Sequence, residues 1–86
     1  MPALSLKRAK VTRTEFARHR HWRTPDGLAE LVEIHWTDTA AREAYSDYWI
    51  IIVHAPALII ERRRTRRAAE KALAARINPT TRKGKR

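Results

Sequence analysis

The sequence predicts an α+β fold: a β-hairpin followed by two helices (a helical hairpin), with a basic arm before and a basic tail after. Three observations lead there. Thr24-Pro25-Asp26-Gly27 separates two stretches of alternating polarity, apolar residues recur at helical spacing after Asp38, and Asn78-Pro79 closes a long Ala- and Arg-rich run. The alternative is all-α, because Leu28, Leu31, Val32, His35 and Trp36 also fit i, i+3, i+4, i+7, i+8, with Thr24-Pro25 opening the helix. That alternative would pair it with a helix over Thr12–Arg20 as a helix-turn-helix. The connection between them is longer than the 3–4 residues that motif uses.

Residues 1–10 read as a basic N-terminal arm, 11–77 as one small globular domain and 78–86 as a basic C-terminal tail, unstructured when free. Within the domain, strands are expected at 16–23 and 28–36. The turn between them has suitable chemistry at each position, since Pro presets φ, Asp tolerates the bridge region and Gly accepts positive φ. In that register Val32, Ile34 and Trp36 share one face and Leu31, Glu33 and His35 the other. On the partner strand Arg18, Arg20 and Trp22 lie together, opposite His19, His21 and Arg23.

A first helix is expected over 38–54. Thr37, Asp38 and Thr39 supply N-cap side chains, and Ala41, Ala44, Tyr45, Tyr48, Trp49, Ile52 and Val53 form an apolar face. Pro56 would end it, and a second helix would run from there to Ile77, with Asn78-Pro79 as the stop signal. Trp36, Tyr45, Tyr48, Trp49, Ile52, Val53, Leu58 and Ile60 should then supply much of the core. Ile50, Ile51 and Ile59 would be left as apolar surface that a homodimer could cover.

The 86 residues allow a single small core, burying roughly 60–65% of the unfolded surface, with stability on the order of 4–13 kcal/mol. A hydrophobic fraction of 43% argues against wholesale disorder. The absence of cysteine excludes a disulfide scaffold, a thiolate metal site and a Cys nucleophile. The first residues lack the apolar region of a secretory signal. The apolar run Trp49–Ile60 is shorter than the ~20 residues that span a bilayer, so no membrane partner is expected. The expected setting is cytoplasmic, including association with a nucleoid or ribosome.

The formal net charge is +10 and is segregated. Residues 1–23 carry seven Lys or Arg and one Glu, residues 24–61 one Arg and seven acids, and residues 62–86 eleven Lys or Arg and one Glu. Basic ends of this kind suit a polyanion, because neutralised phosphates release condensed counterions. The expected contacts are Arg62, Arg63, Arg64, Arg66, Arg67 and Lys71 on the second helix, joined by Arg18, Arg20 and Trp22 from the hairpin. Arginine suits bidentate phosphate contact, and an indole can stack on an unpaired base.

The function these features predict is non-enzymatic binding of nucleic acid, either DNA or structured RNA. Two alternatives stand beside it. The basic helix could serve an adaptor or inhibitor that grips an acidic protein partner. The chain could also be a small metal-independent ribonuclease drawing on His19, His21, His54, Tyr45, Tyr48 and the arginines. His19, His21 and His35 could approach one another near Glu30 or Glu33, but no HExxH spacing accompanies them. No metal, cofactor or catalytic residue is assigned.

Overall fold

The computed structural model describes residues 5–77. The expected tail over 78–86 and the first residues of the expected arm lie outside the described residues. Within them the chain forms one antiparallel sheet whose strands are neighbours in chain order: β1 (Lys7–Arg13), β2 (Ala17–Arg23), β3 (Ala29–Trp36), β4 (Tyr48–Val53) and β5 (Ile59–Arg63). A short helix α1 (Thr39–Tyr45) joins β3 to β4, and helix α2 (Arg66–Ile77) follows β5. No helix among the described residues is long and apolar enough to cross a membrane.

β2 and β3 pair through the turn expected of them. Gly27 sits at φ 74°, its N–H donates to the Thr24 carbonyl at 2.9 Å, and the Asp26 carboxylate accepts from the Thr24 hydroxyl at 2.6 Å and the Leu28 N–H at 3.0 Å. The pairs Trp22–Leu31, Arg20–Glu33 and Arg18–His35 set the faces. The rest of the expected architecture is wrong. This is a five-stranded sheet with two helices, not a hairpin followed by two long helices, nor an all-α bundle.

The expected helix over 38–54 starts where predicted, with the Asp38 carboxylate accepting from the Ala41 N–H at 2.9 Å. It ends after two turns. Tyr48–Val53 is a strand because its β-branched residues pair with β3 on one side and β5 on the other, burying alternate side chains on opposite faces. The expected helix over 56–77 likewise opens as β5. Arg62 and Arg63 are therefore strand residues, Arg64 lies in the connection, and the helix begins only at Arg66, with the Thr65 hydroxyl accepting from the Ala68 N–H at 3.1 Å. A helix through this block would have stacked like charges at Arg62–Arg66 and Arg63–Arg67, and the strand separates them. Lys7–Lys10, expected in an arm, form the first half of β1, where a bulge lies between Arg8 and Lys10.

Ser46 makes the change from helix to strand. Its φ of 60° and ψ of 156° lie in a region populated essentially by glycine. Its N–H still closes α1 on the Arg42 carbonyl at 3.0 Å, and its carbonyl accepts from the Trp36 indole at 2.6 Å. Both are backbone groups of Ser46, so Ser46→Gly keeps them and relieves the strain. We expect a gain of about 1 kcal/mol, seen in urea unfolding as a raised midpoint with unchanged slope.

α2 lies across one face of the sheet, where Ala29, Leu31, Ile51, Val53, Ala69 and Leu73 form the main core, with Leu31, Ile51 and Leu73 fully buried. Trp22, Trp49 and Ile59 pack at its margin. The opposite face carries a second cluster of Ala17, Val32 and Ile34, bordered by Trp36, Tyr48, Ile50 and Ile52. The expected core is thus displaced by the strand register. Leu58, Ile60 and Tyr45 are exposed, whereas Ile51, expected at the surface, is fully buried and Ile59 packs on the core.

Candidate nucleic-acid interface

α2 covers only part of its face. Beyond it the register lays out rows of charged side chains. One row runs Val11, Arg20, Glu33, Trp49, Arg63, and the next runs Arg13, Arg18, His35. Antiparallel pairing puts directly opposed residues on the same side of the sheet, so basic residues from the N-terminal segment and from the arginine block share one surface. Arg18, Arg20, Arg63 and Arg66 of the expected contacts are gathered here. Arg62 is not: it projects from the other face, its guanidinium 5.2 Å from the centre of the Tyr48 ring.

The arginines of the block differ in how far the chain itself engages them. Arg63 donates to Glu61 at 3.2 Å, and Arg66 donates to Glu70 at 2.7 Å. Arg66 also covers the Trp22 and Trp49 rings at 4.7 and 5.5 Å, and those two rings lie 5.7 Å apart. Trp22 is consequently a packing residue beneath Arg66, with no open ring face turned to a base on that side. Arg64, Arg67 and Lys71 are exposed and have no Asp or Glu of the described residues in ion-pair range.

The sheet edge is freer. Lys7, Arg8, Lys10 and Arg13 on β1 are all exposed, and neither they nor Arg18 have a described carboxylate in ion-pair range. Arg20 comes within 3.6 Å of Glu33, and Arg23 within 3.9 Å of Glu30, both longer than a hydrogen bond. The Arg18 Nε is buried without a hydrogen-bond partner among the described residues. A buried donor of this kind is costly until an acceptor reaches it. Arg13 and the rest of β1 were not singled out from the sequence, where KRAKVTR has few apolar residues to mark a strand. The alternation of Lys10, Val11, Thr12 and Arg13 was the available signal.

His35 stands across from Arg18, and its Nδ1 lies 2.7 Å from Asp47. Burial would raise the Asp47 carboxyl, but the Trp36 N–H, the His35 hydrogen bond and the charges of His35 and Arg42 bring it below the ordinary aspartate value. His54 pairs with Glu30 at 2.8 Å. His21, on the opposite face, meets Thr12 at 3.3 Å, and desolvation lowers its pKa below the ordinary 6.5. Lys10, His19 and Arg23 lower it further, against an opposing pull from Glu30.

A lowered histidine pKa stabilises the fold above the unfolded value and withdraws that stability as pH falls toward the folded one. Stability should therefore decline from about pH 6.5 downward, and His21→Gln should flatten that part of the curve. Urea unfolding of both proteins between pH 7.5 and 5 measures the difference. Equal slopes would discard the assignment.

No family model, curated protein or solved structure matches this chain.

Proposed function

We propose that the protein binds nucleic acid through its phosphates, held by a field of arginines that β1 and β2, and β5 with the start of α2, present on one face of the sheet. Arg13, Arg18 and Arg20 form one side of this field and Arg63 and Arg66 the other. The observation that carries the reading is the gathering of cations from two distant stretches of sequence on one sheet face, where Arg18 holds a buried unpartnered donor. Arginine offers a planar fork of donors that matches phosphate oxygens, and clustering makes the affinity a polyelectrolyte effect. The block is not a single arginine helix, and Arg63 and Arg66 must exchange or share their own carboxylates to contribute.

Electrophoretic retardation of single-stranded DNA, duplex DNA and RNA across a salt series tests this. The expected result is a linear fall of log affinity with log salt. Affinity that does not change with salt would remove phosphate recognition as the basis of binding.

A second reading has its own observation. His35 is oriented by Asp47 beside Arg18 and two residues from Glu33 on the same face, an arrangement that could serve a general base in metal-independent RNA cleavage. Cleavage of RNA in EDTA that disappears in His35→Ala would support it, and uncleaved RNA in the parent protein would dismiss it.

A further inference from the structure

The recess at the junction of α1, β4 and β5 contains a chemistry that the phosphate field does not use. It is lined by Tyr45, Ser46, Asp47, Tyr48, Arg62 and Arg64 and has a volume of about 80 Å³. Tyr45 is 67% exposed and its ring lies against Trp36, with centroids 5.4 Å apart and planes tilted by 38°, while Trp36 also meets Tyr48 at 6.4 Å. Arg62 and Arg64 are both exposed, and no described Asp or Glu side chain lies in ion-pair range of either. The strained Ser46 lies between the two tyrosines, and backbone strain of this kind concentrates at ligand clamps.

Resting on the phosphate-binding reading above, we infer that this recess is a stacking site for an unpaired base. The protein's substrate class is then single-stranded nucleic acid. The recess is too small to enclose a nucleobase, so the ring must lie against the exposed Tyr45 with only an edge entering. Stacking on an aromatic that is itself backed by Trp36 meets a surface already held in place. Arg62 and Arg64 then lie beside the base where the adjoining phosphates pass. Bases paired in a duplex present no free face, so the site discriminates against double-stranded partners.

The strand register puts this recess at the same end of the sheet as the phosphate field, but on the opposite face. Arg13 and Arg18 lie at the same end of the sheet as His35, Trp36, Tyr48 and the end of β5. The β2 backbone at Arg18 is two to three strand spacings from the recess, roughly 10–15 Å in the plane of the sheet, with the Arg18 side chain directed to the other face. A single strand that met both would have to cross this end of the sheet, from the face of Arg13 and Arg18 to the face of Tyr48 and Arg62. The competing occupant, a second copy of this chain, would bring Arg62 and Arg64 against an equally basic surface.

The test uses an oligothymidylate, an abasic strand of the same length and a duplex, measured against the parent, Tyr45→Leu and Tyr45→Phe. The parent should prefer oligothymidylate over the abasic strand by about 5- to 150-fold, the range one stacked base contributes. Tyr45→Leu should lose that preference while binding the abasic strand as the parent does, and Tyr45→Phe should keep it. Equal affinity of the parent for the oligothymidylate and abasic strands would overturn the inference. So would an unchanged preference in Tyr45→Leu. In either case salt-dependent binding of the abasic strand would leave the phosphate reading standing, whereas its absence would remove both.

Discussion

Leu31→Ala should destabilise the protein by about 3–5 kcal/mol, a large share of what a domain of this size holds. Leu31 is fully buried at the centre of β3, opposed by Trp22 on β2 and Ile51 on β4, with Ala69 and Leu73 of α2 in the same cluster. Truncation removes the transfer free energy of the lost carbons and leaves a cavity that a sheet bonded on both sides cannot close. Ile60→Ala provides the contrast. Ile60 is 61% exposed on β5, so its truncation should change stability by about 0.5 kcal/mol or less. Urea unfolding followed by tryptophan fluorescence measures both. A larger loss at Ile60 than at Leu31 would mean that the register through β3, β4 and β5 is misplaced by one residue, because such a slip exchanges the two faces.

Combined replacement of Arg13, Arg18 and Arg20 by Gln should weaken nucleic-acid binding by about 100- to 500-fold at 0.1 M salt. Each phosphate contact contributes about 0.7 to the salt slope on single strands and about 0.9 on duplex. Removing three should therefore lower the slope by about 2 to 3. These side chains come from adjacent strands and face the same way, and Arg18 and Arg20 are directly opposed by Arg13 and Val11. The competing physical account is that basic residues on an edge strand prevent other sheets from adding to it. That account predicts a variant which binds as the parent does but aggregates at lower concentration. Sedimentation of the variant beside the salt series separates the two outcomes.

Much of the hairpin could be read from local chemistry. Thr24-Pro25-Asp26-Gly27 satisfies its turn with its own side chains and one positive φ, so no distant residue is needed to specify it. Alternation in 16–23 and 28–36 then assigns the faces. The Asp38 cap also depends only on neighbours and starts α1 where expected. Tyr48–Val53 differs because a short β-branched and aromatic run satisfies helical and strand patterns equally. The pairing with β3 and β5 decides it, and that pairing involves residues outside any local window.

The candidate site divides in the same way. The concentration of Lys and Arg at both ends of the chain is visible in one dimension and points to a polyanion. Which of them act together is not visible, because strand geometry sends Arg62 and Arg63 to opposite faces and sets Arg63 in the row that also holds Arg20. Trp22 illustrates the limit. Its type suggests stacking on a base, yet the register places it beside Trp49 beneath Arg66. Tyr45, assigned to the core by helical spacing, is exposed because α1 ends at Ser46.

By itself, then, the sequence determined the charge, the turn at Thr24–Gly27, the two strands flanking it and the cap at Asp38. Each of these depends on residue type or on groups within a few positions along the chain. The tertiary structure alone decided that Tyr48–Val53 and Ile59–Arg63 are strands, which apolar residues form the core and which arginines face together. Those outcomes depend on hydrogen bonds and packing between segments tens of residues apart, whose combined free energy exceeds the small local preference for helix.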